Sequence, residues 1–179
     1  MLKNLFKILC AIFFIAAFSL SSTTLNKKGR HFDRSFVMGL GPNFDSNGAI
    51  GLFQLGAAFS VFRENNFDFQ VGPLVNIGFN SRNTFFDFDL FFKANYDFQV
   101  LEKYSLSLYG KVPVGYSLVV ANTLAHGMNF GIIPGAAFNL TERFGIFGEL
   151  GLLHRIFFLK RGTLQAPTGT ANFGIIYKF

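Results

Sequence analysis

From Ser35 to Phe179 the chain alternates large apolar residues with small or polar ones. The clearest run puts Phe67, Phe69, Val71, Pro73, Val75, Ile77 and Phe79 at every second position. Asp68, Gln70, Gly72, Leu74, Asn76, Gly78 and Asn80 fill the gaps. A period of two sends successive side chains to opposite faces of a strand. A chain that keeps this period to its end is restricted to sheets with one apolar face and one small or polar face. The 19 Gly count further against long helices.

Eight segments carry the pattern. The first lies near Ser35 to Pro42 and the second near Ile50 to Phe62. The third is the run just quoted. The fourth sets Phe86, Phe88, Leu90, Phe92, Ala94, Tyr96 and Phe98 against Asp87, Asp89, Lys93, Asn95 and Asp97. The fifth extends from Tyr104 to Leu118, the sixth from Met128 to Asn139, and the seventh from Arg143 to Arg155. The eighth is Ala171 to Phe179, with Phe173, Ile175, Tyr177 and Phe179 at alternate positions. Pro73, Pro113 and Pro134 fall inside the pattern. Each removes a ladder donor, so each predicts a bulge or a weakened pairing.

The connections alternate in length. Arg63 to Asn66, Leu101 to Lys103 and Leu140 to Glu142 read as tight polar turns. Asn43 to Gly48, Ser81 to Thr84, Val119 to Gly127 and Ile156 to Thr170 read as longer loops, the last the longest. Short turns on one side and longer loops on the other are the arrangement of a membrane barrel.

Eight alternating strands can close with either face inward. Phenylalanine decides between the two. The chain has 27 Phe in 179 residues, and half of it is hydrophobic. An eight-stranded interior is only wide enough for side chains to fill it, and rings from every strand would overfill it. The opposite face is mainly Gly, Ala, Ser and Asn with some charges, which suits a narrow lumen. The large face therefore belongs in lipid, with Tyr96, Tyr104, Tyr116 and Tyr177 on it. By the same parity Asp87, Asp89, Lys93, Asp97, Lys111, Arg143, Glu149, Arg155 and Lys178 point into the barrel. Buried charges must be paired and hydrogen-bonded. The expectation is a lumenal ion-pair network that fills the barrel.

Residues 1–22 have the layout of a secretory signal peptide. Lys3 and Lys7 precede the apolar run Ile8 to Phe18, and Ala17, Ser19, Ser21 and Ser22 supply small residues for cleavage. The run is shorter than the roughly 20 residues of a spanning helix. Its removal takes away Cys10, the single cysteine, and so excludes disulfides and thiolate metal sites. The formal charge of +6 falls to +4 without Lys3 and Lys7. Lys27, Lys28, Arg30 and Arg34 form a solvated basic leader, and no nucleic-acid partner is expected.

The terminal strand resembles that of bacterial outer-membrane β-barrels, which ends in Phe after aromatic or apolar residues at alternate positions. The stretch Asn139-Leu140-Thr141-Glu142-Arg143-Phe144-Gly145-Ile146-Phe147-Gly148-Glu149 resembles their strand–periplasmic turn–strand hairpin. Residues 23–179 are similar as a whole to the small barrels typified by outer-membrane protein X, the barrel of outer-membrane protein A and the opacity-type surface proteins. The resemblance implies an all-β, eight-stranded antiparallel up-and-down transmembrane β-barrel, a monomer in the bacterial outer membrane. Its partners are then outer-membrane lipid and the barrel-assembly machinery, which reads Phe173, Ile175, Tyr177 and Phe179.

Two types of barrel this size act on lipid A. The deacylase type carries a His-x-Ser-Asn motif on its lipid face. Here the corresponding stretch is His126-Gly127-Met128-Asn129, in which Met128 replaces the nucleophile. Glu149 has the opposite parity to His126 and cannot partner it. The palmitoyl-transferase type needs His and Ser in outer loops that offer little of either. His31, His126 and His154 are scattered and make no metal site. The expectation is a non-enzymatic protein without cofactor or metal, structural or interacting at the surface. The alternatives are a narrow channel or a lipid-A-modifying enzyme.

Overall fold

A computed structural model describes residues 34–45, 48–79, 84–101, 104–120, 124–159 and 162–179. The signal segment expected over 1–22, the basic residues before Arg34, and His31 lie outside the described residues.

Eight strands follow in chain order: β1 (Arg34–Asp45), β2 (Gly48–Glu64), β3 (Phe67–Phe79), β4 (Thr84–Leu101), β5 (Tyr104–Val120), β6 (Leu124–Asn139), β7 (Phe144–Leu159) and β8 (Gly162–Lys178). Each pairs antiparallel with its neighbours in sequence, and β8 returns to β1 to close the barrel. The seam runs from Ser35 opposite Lys178 to Phe44 opposite Gly169. At its foot the Phe179 amide donates to the Arg34 carbonyl at 3.0 Å. We call this end the base and the opposite end the rim. Closure leaves no sheet edge along the seam, the condition for a β-structure to sit in hydrocarbon.

The alternation sorts residues as the ring-volume argument requires. Phe36, Leu40, Phe92, Phe130, Ile132, Leu150, Leu152 and Phe173 are exposed on the outer wall, and the residues between them are mostly buried. Aromatic rings gather at the base: Tyr96 with Phe98, Tyr104 with Phe138, Phe62 with Phe67, and Tyr177 with Phe179. Toward the rim Tyr116 and Phe158 flank His126. Amphipathic rings at both ends of an apolar wall are the girdles of a membrane barrel.

Two expectations are corrected. The segment 156–170 is no loop: Ile156 to Leu159 pairs with Gln165 to Gly162, and only 160–161 separate β7 from β8. Gly162 has a positive φ of 131°, which suits a tight reversal. Asn43 to Asp45 and residues 124–127 are strand as well. The rim connections are therefore as short as those at the base. β2 and β4 to β8 have 16 to 18 residues, against the roughly 9–11 needed to cross a bilayer when tilted. The wall is taller than the membrane it would cross.

The strand prolines leave their mark. The register lapses between β1 and β8 beside Pro42, between β2 and β3 beside Pro73, between β5 and β6 beside Pro113, and between β6 and β7 beside Pro134. Each lacks the N–H that would bond on that side. At two lapses the chains approach closely across a glycine. A Cβ on Gly41 would lie 1.8 Å from the Ala171 carbonyl oxygen, and one on Gly72 1.8 Å from that of Ala57.

Candidate functional site

Among the described residues, the buried polar and charged side chains gather inside the barrel. They are stacked in levels from rim to base.

Nearest the rim, Arg155 of β7 reaches across to Asp87 of β4. Its Nη2 lies 2.6 Å from Oδ2, and its Nε lies 3.2 Å and 3.3 Å from the two oxygens. Arg155 Nη1 donates to Thr168 Oγ1 at 3.0 Å, and the guanidinium lies 4.4 Å from the centroid of the Phe85 ring. Ser117 Oγ donates to Asp87 Oδ1 at 2.6 Å and accepts from Asn129 Nδ2 at 2.9 Å. A buried pair holds when hydrogen bonds occupy its remaining donors and lone pairs, and here they do.

The next level centres on Glu149 of β7. Lys111 Nζ of β5 lies 2.7 Å from both its oxygens. Gln54 Nε2, Asn172 Nδ2 and the Tyr109 hydroxyl also donate to it, at 3.1, 3.2 and 3.2 Å. Gln54 continues to Asn76, and Asn76 Nδ2 donates to Asp89 Oδ2 at 3.0 Å. One chain of hydrogen bonds thus crosses the lumen from β8 to β4.

Below it the interior turns apolar. Ala58, Leu74 and Phe91 form one buried cluster, and Tyr109, Ala137, Phe147 and Ile176 another, with Val37 against it. A cavity of about 20 Å³ remains between them, bordered also by Lys93, Lys111 and Glu149. At the base, Asp68 accepts from Arg63 Nη2 at 2.7 Å, from Gln70 Nε2 at 2.6 Å and from the Ser60 hydroxyl. A second cavity of about 30 Å³ is bordered there by Arg63, Asp68, Lys93, Asp97 and Lys178.

The candidate residues fall into three groups. Asp87 with Arg155 and Lys111 with Glu149 are brought together as pairs. Asp89 and Lys93 are buried on the same face of β4, and Asp97 and Lys178 stand half-buried at the base cavity. Arg143 is corrected: it is exposed in the turn between β6 and β7, not in the lumen. Thr141 Oγ1 accepts the Arg143 and Phe144 amides at 3.2 Å and 2.9 Å, which folds the turn before β7 begins.

Sequence parity missed Arg63 and the apolar plug. Arg63 reads as a turn residue, but a bulge between Ser60 and Phe62 shifts the phase of β2 and turns it inward. Phe85, Phe91, Phe147, Leu153 and Phe157 are buried inside, each beside a large apolar neighbour facing out.

On the outer wall His126 is exposed among Tyr116 and Phe158, whereas Glu149 is buried inside, so the wall separates them. His154 lies against Phe130 at 5.3 Å, beside an apolar groove of about 870 Å³ that includes Ile132, Pro134, Leu150 and Leu152. Among the described residues no three His, Cys, Asp or Glu gather where they could hold a metal ion.

No protein-family model matches the chain, and no curated protein matches it. Among solved structures it is similar to Neisserial surface protein A, with a TM-score of 0.56 and 13% identity over 82% of this chain and 96% of that one. It is more distantly similar to Ail, the attachment invasion locus protein of Yersinia pestis (TM-score 0.47, 14% identity, 82% and 96% covered). The N-terminal β-barrel domain of Pseudomonas aeruginosa OprF gives a TM-score of 0.44 at 13% identity, with 81% and 97% covered. Identities this low speak to fold alone. With its closed ring of eight antiparallel strands and its apolar outer wall, the chain folds as a small eight-stranded outer-membrane β-barrel.

Proposed function

We propose that the protein serves the bacterial outer membrane as a side-chain-plugged wall, with a structural or surface-interacting role, and that it is neither a pore nor an enzyme. One observation carries this reading. The lumen is crossed by the Asp87–Arg155 and Lys111–Glu149 pairs and by an apolar layer, and the cavities beside that layer measure only about 20 and 30 Å³. A cavity that size holds a water or two, not a hydrated ion path. The segment 1–22 is taken as a cleaved export signal, a single chain as the functional unit, membrane lipid as its surroundings and the assembly machinery as the reader of the terminal strand. Met128 at the nucleophile position, with the barrel wall between His126 and Glu149, supports the absence of deacylase chemistry.

Planar-bilayer recording tests the plug. The purified protein is expected to be silent or to open rarely and weakly. Glu149→Gln, which leaves Lys111 buried without its carboxylate, is expected to make openings commoner. Large, stable conductance from the wild-type protein would overturn the proposal in favour of a channel.

A further inference from the structure

Lys93 of β4 and Lys111 of β5 stand directly opposite each other in the register, and both face the lumen. Like charges so placed repel, and each needs a counter-charge once buried. Lys111 has Glu149. Lys93 is 9% exposed, and its Nζ lies 3.9 Å from the centroid of the Tyr109 ring. Among the described residues no carboxylate lies within ion-pair distance of it. The face of a ring attracts a cation but does not replace the counter-charge that a buried ammonium needs.

Asp89 is barred from that part by its position. Asp89, Phe91 and Lys93 take consecutive inward places on β4, and the buried Phe91 ring belongs to the apolar layer between the two charges. On the base side of that layer Lys93 borders the 30 Å³ cavity together with Arg63, Lys178, Asp68 and Asp97. Three cations there face two carboxylates, Arg63 already holds Asp68 at 2.7 Å, and Glu149, which shares the 20 Å³ cavity with Lys93, is already held by Lys111 at 2.7 Å. One positive charge is left over, beside a space with room for a guest the size of a water or two.

We propose that this cavity is a binding site for one small monatomic anion of the halide class, held by the Lys93 ammonium. The anion completes the ion pairing of the lumen and tightens the plug from its base side. The site stands apart from the role assigned to the barrel, since it exists whether or not the lumen ever conducts.

Two experiments test it. Crystals grown in sodium bromide are expected to show an anomalous peak within hydrogen-bonding reach of Lys93 Nζ, and Lys93→Met crystals to lose it. In detergent micelles, the temperature at which the compact form converts to the unfolded one is followed in sodium chloride and in sodium gluconate of equal ionic strength. Screening acts alike in both salts, whereas gluconate is too large for the cavity and only a bound anion stabilises the fold by mass action. The wild-type midpoint is expected to rise with chloride and stay level with gluconate. The Lys93→Met protein is expected to show no difference between the salts. Equal wild-type midpoints in the two salts, a chloride effect that survives Lys93→Met, or bromide confined to the outer surface would each overturn the site. Should Lys93→Met fail to fold, the wild-type comparison and the bromide map decide.

Discussion

Glu149 collects four side-chain donors from three strands, and Lys111 is the only cation among them. Removing one member of a buried pair leaves the other uncompensated, at a cost of about 3–5 kcal/mol, whereas replacing both by apolar groups is often neutral. Glu149→Gln is therefore expected to destabilise the barrel by that amount. Adding Lys111→Met to it should recover much of the loss. Urea titration of the barrel in lipid vesicles measures both. A double variant as unstable as the sum of the two singles would show that the pair is not coupled. At this scale the sequence was legible where residue types contrast. Asp87 and Asp89 lie between large apolar residues, Lys93, Lys111, Glu149 and Arg155 each have one on one side, and parity alone turns all six inward. It was illegible at the doublets Phe85-Phe86, Phe91-Phe92 and Phe157-Phe158, where both faces are apolar and period two has no contrast to read. Tyr109-Gly110 and Phe147-Gly148 go further, putting the ring inside and the glycine on the outer wall.

At the level of elements, β8 has two neighbours of unequal reach. It pairs with β7 along its whole length and with β1 from Gly169 to Lys178. Phe179, which follows it, is 55% exposed, stacks on Tyr177 and bonds through its amide to Arg34. A ring on the outer wall contributes about 2–3 kcal/mol when lipid covers it. If the assembly machinery reads this strand, deletion of Phe179 should impair insertion far more than refolding. Fractionation is expected to find the truncated protein stalled in the periplasm, while its refolding into vesicles stays near normal. Normal surface levels would refute the signal. The reach of β7 and β8 toward the rim was hidden in the sequence. Gly162, Pro167 and Gly169 read as loop chemistry, yet the Thr163–Phe158 and Gln165–Ile156 pairs continue the ladder through them. The bulge at Ser60–Phe62 was hidden for another reason, because a single extra residue changes phase without changing composition.

For the whole molecule the decisive quantity is which face meets lipid. Ring volume in the sequence already pointed outward, and the exposed Ile132, Leu150, Leu152 and Phe173 agree with it. What composition could not convey is that the interior is not simply polar. Rings and aliphatic side chains fill its middle level, between charged levels toward rim and base. The mature chain expected here has no cysteine, so single spin labels can be walked along β7 from residue 146 to 153 in a bilayer. A period of two is expected: labels at 146, 148, 150 and 152 accessible to oxygen dissolved in the lipid, and labels at 147, 149, 151 and 153 shielded from it. The opposite phase, or accessibility of the even positions to a water-soluble relaxant instead, would contradict it.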